Sequence, residues 1–156
     1  MRIRIIAVGK RLPRWINEGF DTYARRMPPA CRVELQEITP GNRPRNAPPE
    51  IAMREEAERI LAAVGSQDDV VALEVTGKPW STEQLADHLH GWLADGQDRS
   101  LLIGGADGLH ADCLARARLR WSLSPLTLPH GLVRVVLGEQ LYRAHSILQG
   151  HPYHRG

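Results

Sequence analysis

Residues 99–110 read RSLLIGGADGLH. A short apolar run, RSLLI, enters a glycine loop, GGADG (104–108), and a helical pattern, LHADCLARAR, follows it. A strand that runs into a glycine loop and then a helix is the repeating unit of a parallel sheet covered on both faces. The same beat sounds on either side. DVVALEV (69–75) is a buried-type strand followed by the turn TGKPW (76–80). LRWSLS (119–124) is a short strand leading into the proline-punctuated SPLTLPH (124–130). Ligands of such sheets sit beyond the carboxyl ends of the strands, where these three loops would gather.

The pattern extends outward in both directions. IRIIAVG (3–9) predicts a buried strand. Pro13 opens a helix marked by Ile16, Gly19/Phe20, Tyr23 and Met27, and Pro28-Pro29 closes it. RVELQEI (32–38) alternates in part, as an edge strand does. PGNRPRNAPPE (40–50) is a loop carrying Arg43 and Arg45, and Met53, Ala57, Ile60, Leu61 and Val64 then recur at helix spacing. Ser81 with Gln84 forms a capping box for a helix whose inner face is Leu85, His88/Leu89 and Trp92. The last helix, about 131–149, presents Val133, Val136/Leu137, Leu141, Ala144 and Ile147/Leu148 on one face. The expected fold is α/β: one domain, 1–156, with a mostly parallel sheet flanked by helices.

At 156 residues and 42 % hydrophobic content the chain can bury a real core. Cys31 and Cys113 form neither a disulfide framework nor a zinc signature, which fits the reducing cytoplasm. No apolar run approaches the roughly 20 residues of a membrane span. The net charge of +2 hides an uneven distribution. Residues 1–32 carry +6, residues 33–112 carry −9 and residues 113–156 carry +5. If the ends meet they form a positive face suited to phosphates; otherwise the charges are solvated singly.

Several residues invite chemistry, each with a plainer alternative. GGADG lets backbone approach a ligand, or is a simple turn; it matches neither a dinucleotide fingerprint nor a Walker loop. SLSPLTLPH (122–130) offers backbone donors and acceptors in an apolar surround, suited to a flat uncharged ring, or is a buried connection. Arg143 stands four residues after Glu139, at salt-bridge spacing. His130 sits at a helix start, as a cap or a polar contact. HPYH (151–154) is a weak metal pattern, without acidic or cysteine neighbours, and no metal is expected.

Taken together, VALEVTGKPWS (71–81), SLLIGGADGL (100–109), RWSLSPLTLPH (120–130), VRVVLGEQLYRAHSI (133–147) and HPYHR (151–155) resemble the SPOUT class of RNA methyltransferases. Within it they are similar to the bacterial group that methylates N3 of a pseudouridine in 23S ribosomal RNA. The resemblance runs from RIIAVGK to HPYHR. Gly131 and Gly138, in a helix, and His145, where a larger aromatic is expected, depart from it. It implies a homodimer, a C-terminal trefoil knot and bent S-adenosylmethionine held by Leu73, Gly104 and the run Leu123, Ser124, Pro125, Leu126, Thr127 and Leu128. The implied substrate is 23S rRNA within the large subunit or assembled ribosome.

Methyl transfer to the N3 imide requires an in-line approach and a group that takes a proton or steadies the anion. His154 or His130 is the candidate acceptor, Arg143 the electrostatic partner, and Tyr153 a stacking or hydrogen-bonding contact to the base. The tail would then reach over a neighbouring subunit's cofactor; alternatively it is a packed dimer contact. Two other readings remain at this point: a non-enzymatic RNA-binding module, and a knotted methyltransferase acting on transfer RNA.

Overall fold

Ile3, Ile5, Ile6 and Ala7 are fully buried, so β1 (Arg2–Val8) runs through the middle of the molecule. The computed structural model describes residues 1–155, the His154 side chain excepted. After β1 come α1 (Arg14–Ala24), β2 (Arg32–Ile38), α2 (Pro49–Ala63), β3 (Asp69–Pro79), α3 (Thr82–Asp95) and β4 (Arg99–Ile103). Then follow α4 (Ala111–Arg116), β5 (Leu119–Ser122), α5 (His130–Leu148) and a 3₁₀ turn over Pro152–Arg155.

The strands form one sheet in the order β2-β1-β4-β3-β5, and every pairing is parallel. Alternate residues of the central strands point to opposite faces. Ile3, Ile5, Val71, Leu101 and Trp121 meet Phe20 of α1, Leu85, Leu89 and Trp92 of α3, and Leu137, Leu141 and Ala144 of α5. Ile6, Val8, Val70 and Leu102 meet Ala57 and Ile60 of α2 and Cys113 of α4. With both faces covered, the inner strands need continuous apolar runs, which is how they read. β2 is an edge strand, as its partial alternation predicts. The capping box forms in full, Ser81 accepting from the Gln84 amide and Gln84 from that of Ser81.

Two local readings change. TGKPW is not a turn beyond β3 but its continuation. Leu73 and Lys78 both stand opposite Trp121, so residues 74–77 leave the ladder as a bulge. On α5 the buried face is Gly131, Arg134, Leu137, Gly138, Leu141 and Ala144, while Val133 and Val136 are only half-buried. The helix-weakening Gly131 has a packing reason: a Cβ there would lie 2.5 Å from Ile16 Cδ1 of α1. Arg134 is wholly buried, its guanidinium donating to Glu37 (2.7 Å) and to the Gly9 carbonyl (2.9 Å). That side chain bolts α5 to the carboxyl ends of β1 and β2.

Candidate active site

The carboxyl ends of β3, β4 and β5 open onto one cavity of about 520 Å³. That lies in the range of roughly 300–1,000 Å³ usual for small-molecule sites. The three loops expected to gather do so here. Leu73, Gly104, Leu123, Ser124, Leu126, Thr127 and Leu128 all line the cavity; Pro125 does not. His130 and Val133 of α5 add to one wall, and Glu74, Val75 and Thr76 of the β3 bulge to another.

Each loop is held differently. In the 122–130 segment the Ser122 hydroxyl donates to the Ser124 carbonyl (3.0 Å), and the Leu126 amide donates to the Ser124 hydroxyl (2.9 Å). Leu126 remains 69 % exposed, which leaves an apolar side chain on the rim. The glycine loop closes on itself: the Gly108 amide donates to the Gly105 carbonyl (3.1 Å). A Cβ on Gly104 would stand 2.5 Å from the Gly108 carbonyl carbon. Gly104 lines the cavity, but its lack of a side chain answers first to the loop's own closure.

An ion-pair clamp fixes that loop from behind. Arg43 reaches Glu56 of α2 (2.7 Å) and Asp107 of the glycine loop (3.0 Å). Glu56 is buried and also accepts from the Gly41 amide (2.9 Å). The bond to Glu56 is the main reason the Arg43 guanidinium titrates above its usual range. In the sequence Arg43 is only a loop charge, and Glu56 carries no functional mark. The available signal was a glutamate falling on the inward face of α2, one residue before Ala57.

The second cluster lies at the far end of α5. The Tyr153 hydroxyl donates to Glu139 Oε2 (2.9 Å), and Arg143 Nε donates to the same oxygen (3.0 Å). The guanidinium stands 5.0 Å above the Tyr153 ring, and Tyr142 meets that ring edge-on at 4.7 Å. Burial, then the bond to Glu139, push the Tyr153 phenol above its ordinary range. The helix-face pair of Glu139 and Arg143 is therefore real and has a third member. The His154 side chain lies outside the described residues. His145, two residues past Arg143 on the same helix, has Nδ1 buried and without a partner, and burial lowers its pKa.

One chain brings Arg143 and Tyr153 together but leaves His130 apart from them. His130 opens α5 beside the cavity, whereas Arg143 lies thirteen residues along the same helix. At 1.5 Å per residue that is about 20 Å. No group of three or more potential metal ligands occurs among the described residues.

Comparison with known proteins agrees with this architecture. Residues 1–154 match the family described as "Predicted SPOUT methyltransferase". The chain belongs to the SPOUT methyltransferase family. It is 59 % identical over 155 residues to "Ribosomal RNA large subunit methyltransferase H" of Alkalilimnicola ehrlichii, covering 99 % of each chain. The proteins of the same name from Hahella chejuensis and Methylococcus capsulatus are 56 % and 50 % identical over 155 residues, covering 99 % of this chain and 99 % and 100 % of theirs. Among solved structures, a probable methylase family protein from Haemophilus influenzae Rd KW20 superposes with a TM-score of 0.56 at 13 % identity. That match covers 97 % of this chain and 69 % of the other, and speaks to the fold alone. In this SPOUT methyltransferase, then, the loop cavity and the Glu139–Arg143–Tyr153 cluster are two separate features on one helix, one at each end.

Proposed function

We propose that this chain methylates large-subunit ribosomal RNA, moving a methyl group from S-adenosylmethionine to N3 of a pseudouridine in 23S rRNA. The relatives' name supports the substrate class. The observation that carries the reading is the cavity, in which loops from three adjacent strand ends converge. Its residues fit the cofactor. Leu73, Ile103, Leu123, Leu128 and Val133 supply apolar walls for a flat ring, and the 122–130 backbone supplies polar contacts at its edge.

When bound, S-adenosylmethionine supplies an electrophilic methyl group on a sulfonium. The chain's task is to hold it, orient the base and manage one proton. The clamp of Arg43, Glu56 and Asp107 keeps the glycine loop in place. The N3 imide must lose its proton, and His154 or His130 is the acceptor. Arg143 steadies the developing anion, and Tyr153 contacts the base by stacking or by its hydroxyl.

Because Arg143 lies ten residues, about 15 Å along α5, past Val133, the last helix residue lining its own cavity, we assign its cluster to the cavity of a second copy. The active species is then a homodimer with composite sites. The family also implies the trefoil knot and work in the cytoplasm; no helix among the described residues is long and apolar enough to cross a membrane.

Purified protein should transfer labelled methyl from S-adenosylmethionine to large subunits or whole ribosomes and leave bulk transfer RNA unlabelled. Mass spectrometry should place the label on one pseudouridine. Labelled transfer RNA with silent ribosomes would establish the transfer-RNA reading instead, and no cofactor binding by calorimetry would leave only an RNA-binding module.

A further inference from the structure

We propose that Glu74 anchors the ribose of the cofactor, its carboxylate accepting hydrogen bonds from the two hydroxyls of the adenosine cis-diol. The proposal rests on the reading that S-adenosylmethionine fills the cavity. It begins from the bulge. Leu73 and Lys78 share Trp121 as partner, so the chain between them is released from the ladder with β5. The first released residue is Glu74, and it lines the cavity.

Glu74 Oε2 is buried and has no hydrogen-bond partner, so the side chain must turn toward the cavity for this oxygen to meet a donor there. An unpaired buried carboxylate oxygen is costly unless something donates to it. The other carboxylate of the cavity is already engaged: Asp107 is held by Arg43 at 3.0 Å. Glu74 is thus the one acid lining this cavity for which the structure gives no internal partner among the described residues.

The cofactor carries three kinds of group that a carboxylate attracts: the ribose diol, the amino-acid ammonium and the sulfonium. A carboxylate beside the sulfonium would stabilise the charged reactant, and that attraction fades as the positive charge disperses during transfer. Such a contact slows the reaction rather than aiding it. The diol has no such conflict. Its two donors match two carboxylate oxygens, and acids at strand carboxyl ends hold ribose hydroxyls in other parallel-sheet folds. The same match favours the diol over the ammonium, a compact charge whose three N–H donors diverge and which backbone carbonyls can also satisfy.

Calorimetry on the full-length protein separates these choices. The probes are S-adenosylhomocysteine, 5′-methylthioadenosine, which lacks the amino acid, and 2′-deoxy-5′-methylthioadenosine. Glu74→Gln should weaken the first two ligands by the same factor, about tenfold to thirtyfold. The 2′-deoxy ligand, which keeps only the 3′-hydroxyl, should bind the wild type more weakly and lose less in the variant than the two diol ligands do. Glu74→Asp, which keeps the charge but shortens the reach, should fall between. Without ligand, the melting temperature of Glu74→Gln should equal or exceed that of the wild type, since a half-buried carboxylate with one unpaired buried oxygen loses its charge. A Glu74→Gln variant that weakens S-adenosylhomocysteine but not 5′-methylthioadenosine would overturn the diol assignment in favour of the ammonium. Unchanged affinity for both, with the wild type binding normally, would overturn the anchor alone. A wild type that binds neither ligand would overturn the cofactor reading together with it.

Discussion

The cavity and the α5 cluster are built from different materials. The cavity is shaped by loops in which glycine, proline and short side chains bring backbone close to the ligand space. The cluster is a set of side chains, Glu139, Arg143 and Tyr153, joined by two bonds to one carboxylate oxygen. Loops of the first kind tolerate charge changes on the rim but not added atoms within. The second kind tolerates changes of shape but not of charge. Binding and chemistry should therefore fail separately, and the two regions can be broken one at a time.

The largest effect should come from deleting residues 151–156. Methyl transfer should fall by about a thousandfold, because orientation and electrostatic stabilisation are lost together. Affinity for S-adenosylhomocysteine should stay within about twofold, since no described tail residue lines the cavity. A deletion that only weakens the dimer and keeps full turnover per dimer would reduce the tail to packing.

Gly104→Val should act the other way round. With a Cβ 2.5 Å from the Gly108 carbonyl carbon, the loop must open to admit it. Overpacking of this kind costs about 2–3 kcal/mol, so cofactor affinity should drop some thirty- to a hundredfold while the circular dichroism spectrum is retained. Mixing this variant with the tail-deleted chain sharpens the comparison. If tails serve the partner's cavity, mixed dimers hold one intact site and regain activity. If each tail serves its own cavity, the mixture stays silent.

These two regions also differed in how far the sequence revealed them. The cavity loops could be read because strand, glycine and helix follow one another within a dozen residues, as in RSLLIGGADGLH. The α5 pair could be read from its four-residue spacing. What escaped was long-range. Nothing in the local pattern of the last helix marks Arg134, yet it is wholly buried because Glu37 and two carbonyls at the end of β1 accept from it. The bulge after Leu73 depends on the register against Trp121, which no local pattern specifies. Gly131 reads as a weak point in α5 until Ile16 is placed against it. Arg43 and Asp107 are 64 residues apart, so their pairing emerges only once the loops meet.

That clamp gives a moderate test. Arg43→Ala leaves the buried Glu56 with only backbone donors and frees Asp107. Cofactor affinity should fall about tenfold, and melting temperature should drop, because an uncompensated carboxylate remains inside. Arg43→Lys should recover part of both, since a point charge can meet Glu56 but not grip two acids in fixed geometry. Full affinity in Arg43→Ala would mean that the loop's internal bonds suffice to hold it.

The smallest effect belongs to the Tyr153 hydroxyl. It donates to Glu139, while the ring below Arg143 remains available in Tyr153→Phe. Losing one donor to a carboxylate that keeps Arg143 should cost about threefold in turnover at most. Cofactor affinity should not change. The pH dependence carries the sharper content. Burial and the bond to Glu139 raise the phenol above its ordinary value of 10.0, so it stays protonated throughout the neutral range. Tyr153 is then a fixed donor and no base. The rate profiles of wild type and Tyr153→Phe should run parallel from about pH 6 to pH 9, both rising only where another acceptor or the imide itself ionises. The sign for stability follows from the same shift. The folded form disfavours the phenolate, so the hydroxyl's contribution is intact below pH 10 and is lost as pH climbs past it. Tyr153→Phe should therefore flatten the alkaline fall in melting temperature while leaving neutral turnover close to normal. A rate that climbs with pH in the wild type and not in the variant would make the phenol the proton acceptor and move the chemistry from the histidines to the tail's tyrosine.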